Sequence, residues 1–291
     1  MDVGIGLPAT IPGVDGKTVV EWARRADDAG FTSLGTIDRL VYPNYEPLIA
    51  LAAAAAVTSR ARLVTAVLLA PLRTNAPLLA KQAASVDQLS GGRLTLGLGL
   101  GGREDDFEVS GVSLHERGRI MEHHLQLMDR VWSGQVSGLA PDPMGPPPAR
   151  PPRPELILGG SVEATFKRVA TYADGWIMGG GTPDQFKQGA AAVDAAWSAA
   201  GREGKPRNLA LTYFGLGPDG AKAADAYLHH YYGFLGPVAD AIAGSAATDG
   251  DTVKAYLDAY AAAGCDELIL FPCSPDLGQV ELLAEVTGVG G

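Results

Sequence analysis

The sequence predicts an α/β protein folded as a (β/α)8 barrel with an insertion after the seventh strand. Three observations carry this expectation. Strand-like runs alternate with helical periodicities along the whole chain. The third run, Leu63 to Leu69, is apolar at nearly every position, as in a parallel strand buried on both faces. The alternation also resumes directly after a proline-rich stretch, so residues 1–291 read as one domain. An open, doubly wound sheet is the alternative arrangement of the same elements.

Val3 to Leu7 is the first strand, after which Val19, Trp22, Ala23 and Ala26 recur at helical spacing until Gly30 supplies a stop. Thr32 to Ile37 is the second strand. A helix follows from Pro47, a residue permitted in the first turn, through an alanine run to about Ser59. Beyond the third strand a helix opens near Asn75 and Pro77. It carries Leu79, Ala83 and Val86 on one face and is broken by Ser90, Gly91 and Gly92. Leu94 to Leu98 alternates as the fourth strand. Ser113 and Glu116 are spaced as a capping box for a long helix striped by Met121, Leu125, Met128 and Trp132. Prolines from Pro141 to Pro154 then make a stiff, polyproline-like connection. Strand Leu156 to Leu158, helix Glu163 to Tyr172, strand Gly175 to Met178 and helix Pro183 to Ala200 are the fifth and sixth units. Leu209 to Leu216 and Glu267 to Phe271 are the last strands, closed by a helix near Gln279 to Val286.

Composition narrows the function. With 46% apolar and 19% charged residues, the chain can bury a large core. Thirty-three acidic against 23 basic residues give a net charge of −10, and no block of Lys or Arg occurs. Nucleic acid and anionic membranes are therefore disfavoured as partners. The opening residues lack the basic and apolar regions of a secretory signal. The longest apolar run, Leu48 to Val57, falls well short of the roughly 20 residues that span a bilayer. Cys265 and Cys273 are too few for a disulfide framework, and a cytoplasmic location is expected.

Barrel chemistry sits at the C-terminal ends of the strands. Those ends carry Leu7 and Pro8, Asp38 and Arg39, Ala66 and Val67, then Gly99, Leu100 and Gly101. Gly159, Gly160 and Ser161 follow, then Gly179, Gly180, Gly181 and Thr182, and finally Cys273. No lysine stands there, which disfavours Schiff-base chemistry. Asp38 alone supplies a carboxylate, too few for a metal-dependent barrel, so no metal site is expected. Surface or packing roles are expected of His115, His123 and His124. The two glycine-rich ends lead into helices and present amides and hydroxyls to an anion. A phosphate-bearing ligand with little acid–base machinery around it points to a cofactor that carries its own reactivity.

Gly97, Gly99 and Gly102 also satisfy the Gly-x-Gly-x-x-Gly spacing of a dinucleotide-binding turn. Their place on the fourth strand, and the run Arg103, Glu104, Asp105 and Asp106 behind them, argue against a pyrophosphate there. They read instead as a ligand-facing strand end.

Over about the first 180 residues the chain resembles the bacterial luciferase-like family of flavin- and deazaflavin-dependent oxidoreductases. The resemblance lies in the order of Ala29-Gly30-Phe31-Thr32-Ser33-Leu34, Ala80-Lys81-Gln82-Ala83-Ala84 and Leu89-Ser90-Gly91-Gly92-Arg93. Gly97 to Gly101, Gly111-Val112, Glu116-Arg117-Gly118 and Ala173-Asp174-Gly175-Trp176 continue it. It implies a homodimeric barrel that binds reduced FMN or coenzyme F420 at its C-terminal mouth and acts on a small-molecule substrate, with a separate flavin reductase as a further partner. By the resemblance, Gly160, Ser161, Gly179 and Gly180 hold the cofactor phosphate, and Ala66-Val67 forms a cis peptide against the flavin ring. Leu7, Gly99, Leu100, Gly101, Gly159, Gly181 and Thr182 are further candidate contacts.

Arg39 departs from the family, many members of which have histidine there. Arginine cannot shuttle protons near neutral pH, but it can pair with charge. Asp38 and Arg39 are thus the candidate catalytic residues, one of them contacting the flavin or an anionic substrate, since strand neighbours face opposite sides. The missing histidine and the acidic chain favour FMN over the polyanionic tail of F420. The expected activity is a flavin-dependent monooxygenase or oxidoreductase using reduced FMN and oxygen. An F420-dependent reductase or dehydrogenase, a catalytically silent flavin-binding barrel, and a phosphate-ligand lyase or isomerase are the alternatives. Ala221 to Gly250 is expected either to wall the flavin with aromatics or to bury them against the barrel. The proline-rich stretch belongs to the opposite face, and Cys273 reads as a small buried residue.

Overall fold

The computed structural model describes residues 1–136 and 142–290, so Pro141 lies outside the described residues. Among the described residues the strands are β1 (Asp2–Gly6), β2 (Ser33–Thr36), β3 (Arg62–Thr65), β4 (Leu68–Leu69), β5 (Leu94–Gly99), β6 (Glu155–Gly159), β7 (Gly175–Met178), β8 (Arg207–Phe214) and β9 (Glu267–Pro272). All pair in parallel, in the order β3-β2-β1-β9-β8-β7-β6-β5-β4. The sheet closes because β5 receives both β3, with Leu63 opposite Leu94, and β4, with Leu68 opposite Leu98. β3 and β4 are thus two halves of the third barrel strand, and the barrel has the eight parallel strands of a (β/α)8 fold. The expected continuous run from Leu63 to Leu69 is interrupted at Ala66-Val67, whose peptide bond is cis.

The helices are α1 (Gly16–Ala29), α2 (Pro47–Ala55), α3 (Ala76–Ser90), α4 (Glu104–Ser110), α5 (Arg117–Trp132), α6 (Glu163–Tyr172), α7 (Pro183–Ala199), α8 (Gly220–Tyr232), α9 (Pro237–Gly244), α10 (Gly250–Ala262) and α11 (Gly278–Thr287). Local chemistry sets their ends. Asp15 and Asn75 accept the Thr18 and Leu78 amides at the starts of α1 and α3. Gly30 and Gly91 end those helices at φ of 98° and 68°, where a side chain would be strained.

Two sequence expectations fail locally. The spacing of Ser113 and Glu116 does not make a capping box, because a 3-10 turn over Leu114–Glu116 precedes α5 and Ser113 caps nothing with its side chain. The run after Gly102, read only as a charged segment, forms α4, with Glu104, Asp105 and Asp106 favourably placed in its first turn.

Trp22, Trp176 and Phe186 are buried between the strands and their helices. Inside the barrel, Val64, Ile157, Ile177, Leu209, Leu211, Ile269 and Phe271 fill the axis. Gly6 and Gly35 make room for the Phe271 ring, which a Cβ at either position would strike. The N-terminal end of the barrel is closed by ion pairs of Arg207 with Glu155 and Glu267, while Thr95 and Thr32 hydroxyls donate to the two carboxylates. The proline-rich segment lies at this end too. Gln88 donates to the Pro147 carbonyl at 2.8 Å, and the Arg150 amide donates to Asp87, near the C-terminal end of α3. No helix among the described residues is long and apolar enough to cross a membrane.

Candidate functional site

A cavity of about 550 Å³ opens at the C-terminal ends of the strands. It gathers most of the strand-end residues singled out in the sequence: Asp38 and Arg39; Ala66 and Val67; Gly99, Leu100 and Gly101; Gly159, Gly160 and Ser161; Gly179 and Gly180. Of the strand-end residues, Leu7, Pro8, Gly181, Thr182 and Cys273 do not line it. Leu7 is buried among the core side chains outside the cavity. Gly181 and Thr182 belong to the start of α7, where Thr182 and Gln185 bond reciprocally in a capping box.

That difference separates two helix starts that look alike in sequence. The amides of α7 are partly satisfied by Thr182. The first turn of α6 has no side-chain cap: Val162 precedes it, and Gly160 and Ser161 lead into it from the cavity wall. The Thr165 amide turns back to the Val162 carbonyl, but no side chain takes the amides of Glu163 and Ala164, and the helix dipole favours an anion there.

Glycines seat the Val67 side chain in one wall. A Cβ on Gly99 would overlap Val67 Cγ2, and one on Gly159 would lie 3.0 Å from Val67 Cγ1. On the same strand as Gly99, a Cβ on Gly97 would strike the backbone oxygen of Thr65. Gly97 and Gly99 thus let β5 pass close to the Thr65–Val67 backbone, and Gly102 stands on the cavity rim with space around it.

Asp38 and Arg39 both line the cavity, contrary to the alternation expected of strand neighbours. The reason is that β2 stops at Thr36, so the rule of opposite faces no longer applies. Both are buried. Asp38 Oδ2 accepts the Leu69 amide at 2.9 Å and Arg73 Nη1 at 2.6 Å, which ties the end of β2 to β4. Burial pushes the Asp38 carboxyl above its ordinary value, opposed by the Arg73 charge.

Arg39 donates to the carbonyls of Tyr231 at 3.2 Å and Val41 at 2.9 Å. Its guanidinium lies 4.6 Å from the Tyr42 ring centre and 5.2 Å from that of Tyr231. Burial lowers its pKa from an already very high value, so it stays charged. Asp106, also buried, accepts the Leu40 and Val41 amides, and its second oxygen lies 3.8 Å from Arg39 Nε and 3.9 Å from Arg103 Nε.

Sequence reading missed Arg103 because it weighed the acidic residues beside it. In the structure Arg103 pairs with Asp105 at 2.7 Å, Asp106 turns inward, and the guanidinium reaches the cavity 3.8 Å above the exposed Phe234 ring. Tyr213 was also missed, although a signal existed: Leu209, Leu211 and Tyr213 alternate along β8 and face the barrel axis. The aromatic segment divides between the cavity and the core. Tyr231, Tyr232 and Phe234 line the cavity, while Tyr227 is buried and shares a 2.7 Å hydrogen bond with Thr10.

Cys273 is buried just past β9, and burial pushes its thiol pKa up. His115 and His123 are exposed, and His124 is buried in α5 away from the cavity. Among the described residues, no group of three His, Cys, Asp or Glu side chains is placed to hold a metal ion.

A sequence model described as luciferase-like monooxygenase matches residues 1–268. An uncharacterized protein of Mycobacterium tuberculosis is 35% identical over 175 residues, 57% of this chain and 61% of that one, so the match spans less than two thirds of the relative. A second uncharacterized protein of that organism is 29% identical over 229 residues, 69% of this chain and 78% of its own. Three solved structures share the fold. A monooxygenase from Streptomyces bottropensis has a TM-score of 0.76 at 23% identity over 98% of each chain. An F420-dependent secondary alcohol dehydrogenase, in complex with an F420-acetone adduct, has a TM-score of 0.78 at 19% identity over 98% of this chain and 97% of that one. The oxygenating constituent of 3,6-diketocamphane monooxygenase of Pseudomonas putida, in complex with FMN, has a TM-score of 0.72 at 18% identity over 98% and 97%. With a barrel of this topology and a family match over nearly its full length, the chain belongs to the luciferase-like monooxygenase family.

Proposed function

We propose that the chain is a flavin-dependent monooxygenase or oxidoreductase that takes reduced FMN into this cavity and acts with oxygen on a small organic substrate. The observation that carries the reading is the cavity wall in which the Val67 side chain is seated against Gly99 and Gly159, and which leads to the uncapped first turn of α6. A planar ring and a phosphate at its end match that sequence of surfaces, and the cavity volume lies in the usual range for such ligands.

In this reading Gly160, Ser161 and the first amides of α6 hold the phosphate, with Gly179 and Gly180 beside them. Ala66, Val67, Gly99, Leu100 and Gly101 support the ring. When bound, reduced FMN supplies the electrons that activate oxygen. The chain's own part is to orient and to exclude water. Asp38 holds the β4 segment and, with its raised pKa, retains a proton nearer neutrality than an ordinary carboxyl. Arg39 fixes the end of α8, so that Tyr231, Tyr232 and Phe234 wall the site. One barrel domain over residues 1–291, a cytoplasmic homodimer and a separate flavin reductase complete the proposal.

A second reading, an F420-dependent reductase or dehydrogenase, has its own support. A further cavity of about 380 Å³ shares Ser161, Met178 and Gly180 with the main one and continues past the phosphate position to Gln185 and Gln188. It offers room for a cofactor longer than FMN. The acidic chain and the absence of Lys or Arg from that lining weigh toward FMN.

Equilibrium binding of FMN and of F420 to the purified protein, measured side by side, tests both. Tighter binding of FMN is expected. Tighter binding of F420 favours the second reading, and binding of neither overturns both. FMN bound without substrate-dependent oxygen consumption would mark a catalytically silent flavin protein.

A further inference from the structure

We infer that the paired hydroxyls of Tyr213 and Tyr232 donate a hydrogen bond to an uncharged carbonyl oxygen of the substrate, making that pair the specificity-determining element of the site. The inference rests on the cofactor reading above only for the place of the substrate; the donor itself follows from proton counting.

The two hydroxyls lie 2.6 Å apart. Each carries one proton, and a single contact between them uses one. Among the described residues neither hydroxyl has another acceptor, so one proton is unspent whichever oxygen donates. Both side chains line the cavity. The spare proton stands at the wall of an open cavity with no protein acceptor, where a ligand oxygen arriving at the pair can take it.

Position decides between cofactor and substrate as the source of that oxygen. The glycine wall occupies the arc of the barrel from β4 through β7. Tyr213 ends β8 and Tyr232 ends α8, so the pair stands on the remaining arc, together with Ile37, Asp38 and Arg39 beyond β2. Tyr213 is held firmly there. Its ring packs edge-on against Tyr227 at 6.3 Å and Tyr232 at 5.9 Å, and tilted against Phe271 at 6.3 Å.

Chemistry decides the class of acceptor. Burial pushes both tyrosine pKa values up, so both remain protonated donors near neutral pH. The two nearby cations, Arg39 and Arg103, are matched by the carboxylates of Asp105 and Asp106 within 4 Å, so this arc carries no net positive charge to draw an anion, although Arg39 Nε itself has no hydrogen-bond partner. Ile37, Leu211 and the tyrosine rings offer the rest of the substrate an apolar surface. A ketone, aldehyde or ester on a hydrocarbon frame satisfies all of these groups.

The test uses two probes of the same shape, cyclohexanone and methylenecyclohexane, titrated against the full-length protein by ligand-observed NMR, with and without FMN. Wild type is expected to bind the ketone about tenfold more tightly, the worth of one neutral hydrogen bond to an otherwise unpaired donor. The double variant Tyr213→Phe/Tyr232→Phe is expected to bind both probes equally. Removing both partners leaves no orphaned group, so folding is preserved, and an unchanged thermal melt confirms it. Each single variant keeps one free hydroxyl and should keep the preference. The carbonyl stretch of bound carbon-13-labelled cyclohexanone should shift to lower frequency in wild type and not in the double variant. Equal binding of the two probes by wild type, or a preference that survives the double substitution, overturns the inference. FMN titration of the same samples reads the cofactor proposal separately: ketone preference without FMN binding refutes that proposal and leaves this one standing.

Discussion

Gly99 lies directly against Val67, so that even a single methyl group on Gly99 would overlap the Val67 side chain. This contact explains what a dinucleotide-like spacing is doing on the fourth barrel strand. Two residues earlier, Gly97 faces the Thr65 carbonyl oxygen, and the Thr65 hydroxyl donates to the Gly97 carbonyl at 2.7 Å while accepting its amide at 2.8 Å. The glycines are spaced by two because a strand alternates, and both serve the approach of β5 to the break between β3 and β4.

The two glycines should therefore respond differently to alanine. Gly97→Ala drives a methyl into backbone that cannot move aside, and should cost about 2 kcal/mol or more of stability. Gly99→Ala meets only the end of a side chain, so its melt should shift less. Its displaced Val67 should instead weaken FMN binding about tenfold. Chemical denaturation and flavin fluorescence on the same samples check both outcomes.

The unequal helix starts give a second prediction. Ser161→Asp places a charge beside the uncapped first turn of α6 and should weaken FMN by at least about tenfold. Riboflavin, which lacks the phosphate, should bind the variant as it binds wild type. Thr182→Ala should cost roughly 1 kcal/mol through loss of the α7 cap and leave FMN affinity unchanged. Equal losses for FMN and riboflavin in Ser161→Asp would move the phosphate elsewhere.

Much of this architecture is written locally in the chain. The strand–helix alternation and the glycine stops at Gly30 and Gly91 are short-range signals, and the structure follows them. The cavity residues from Asp38 to Gly180 were legible because a barrel places strand ends together. What stayed hidden depends on partners distant in sequence. Arg93 enters the sequence reading only as the end of the family-like run Leu89-Ser90-Gly91-Gly92-Arg93, yet it donates to the carbonyls of Ala55, Thr58 and Ala61 and serves the fold. Arg103 looked outweighed by the three carboxylates after it, a run that reads as repelling a pyrophosphate, but Asp105 pairs with it and Asp106 turns inward. The partnership of Tyr213 with Tyr232 requires α8 to return over the barrel mouth, which no local pattern announces.

Arg39 holds that return in place. Arg39→Ala removes two hydrogen bonds to backbone and the stacking on Tyr42 and Tyr231, and leaves the buried Asp106 short of a counter-charge. A loss of about 3–5 kcal/mol is expected, with faster amide hydrogen exchange concentrated over Tyr231 to Phe234. Arg39→Lys should not rescue it, since an ammonium cannot reach both carbonyls in one plane. Unchanged exchange in that segment would show that α8 is held by its aromatic packing alone.

At the other end of the barrel, Arg207 lies between Glu155 and Glu267, both largely buried. Arg207→Ala strands two carboxylates and should destabilise by about 3–5 kcal/mol. Combining it with Glu155→Gln and Glu267→Gln should recover a substantial part of that loss. Because this cluster is remote from the cavity, FMN affinity per folded molecule should not change.

Asp38 offers a test through pH. Its carboxyl is raised above 3.8 by burial, so the native state holds the proton more tightly than the unfolded chain does. The stability this contributes is fully present below the unfolded value and is lost as pH rises through the higher native one. Asp38→Asn keeps an oxygen able to accept the Leu69 amide and removes the titration, at the constant expense of the Arg73 ion pair. The difference in unfolding free energy between variant and wild type should therefore move in favour of the variant with rising pH, across the window that begins near pH 3.8. Urea unfolding of both proteins from pH 3 to pH 8 measures it. A difference that is flat with pH would mean that Arg73 fully offsets the burial of Asp38; a difference moving the other way would mean that the ion pair dominates, and that Asp38 enters the cavity as an ordinary carboxylate with no proton to retain.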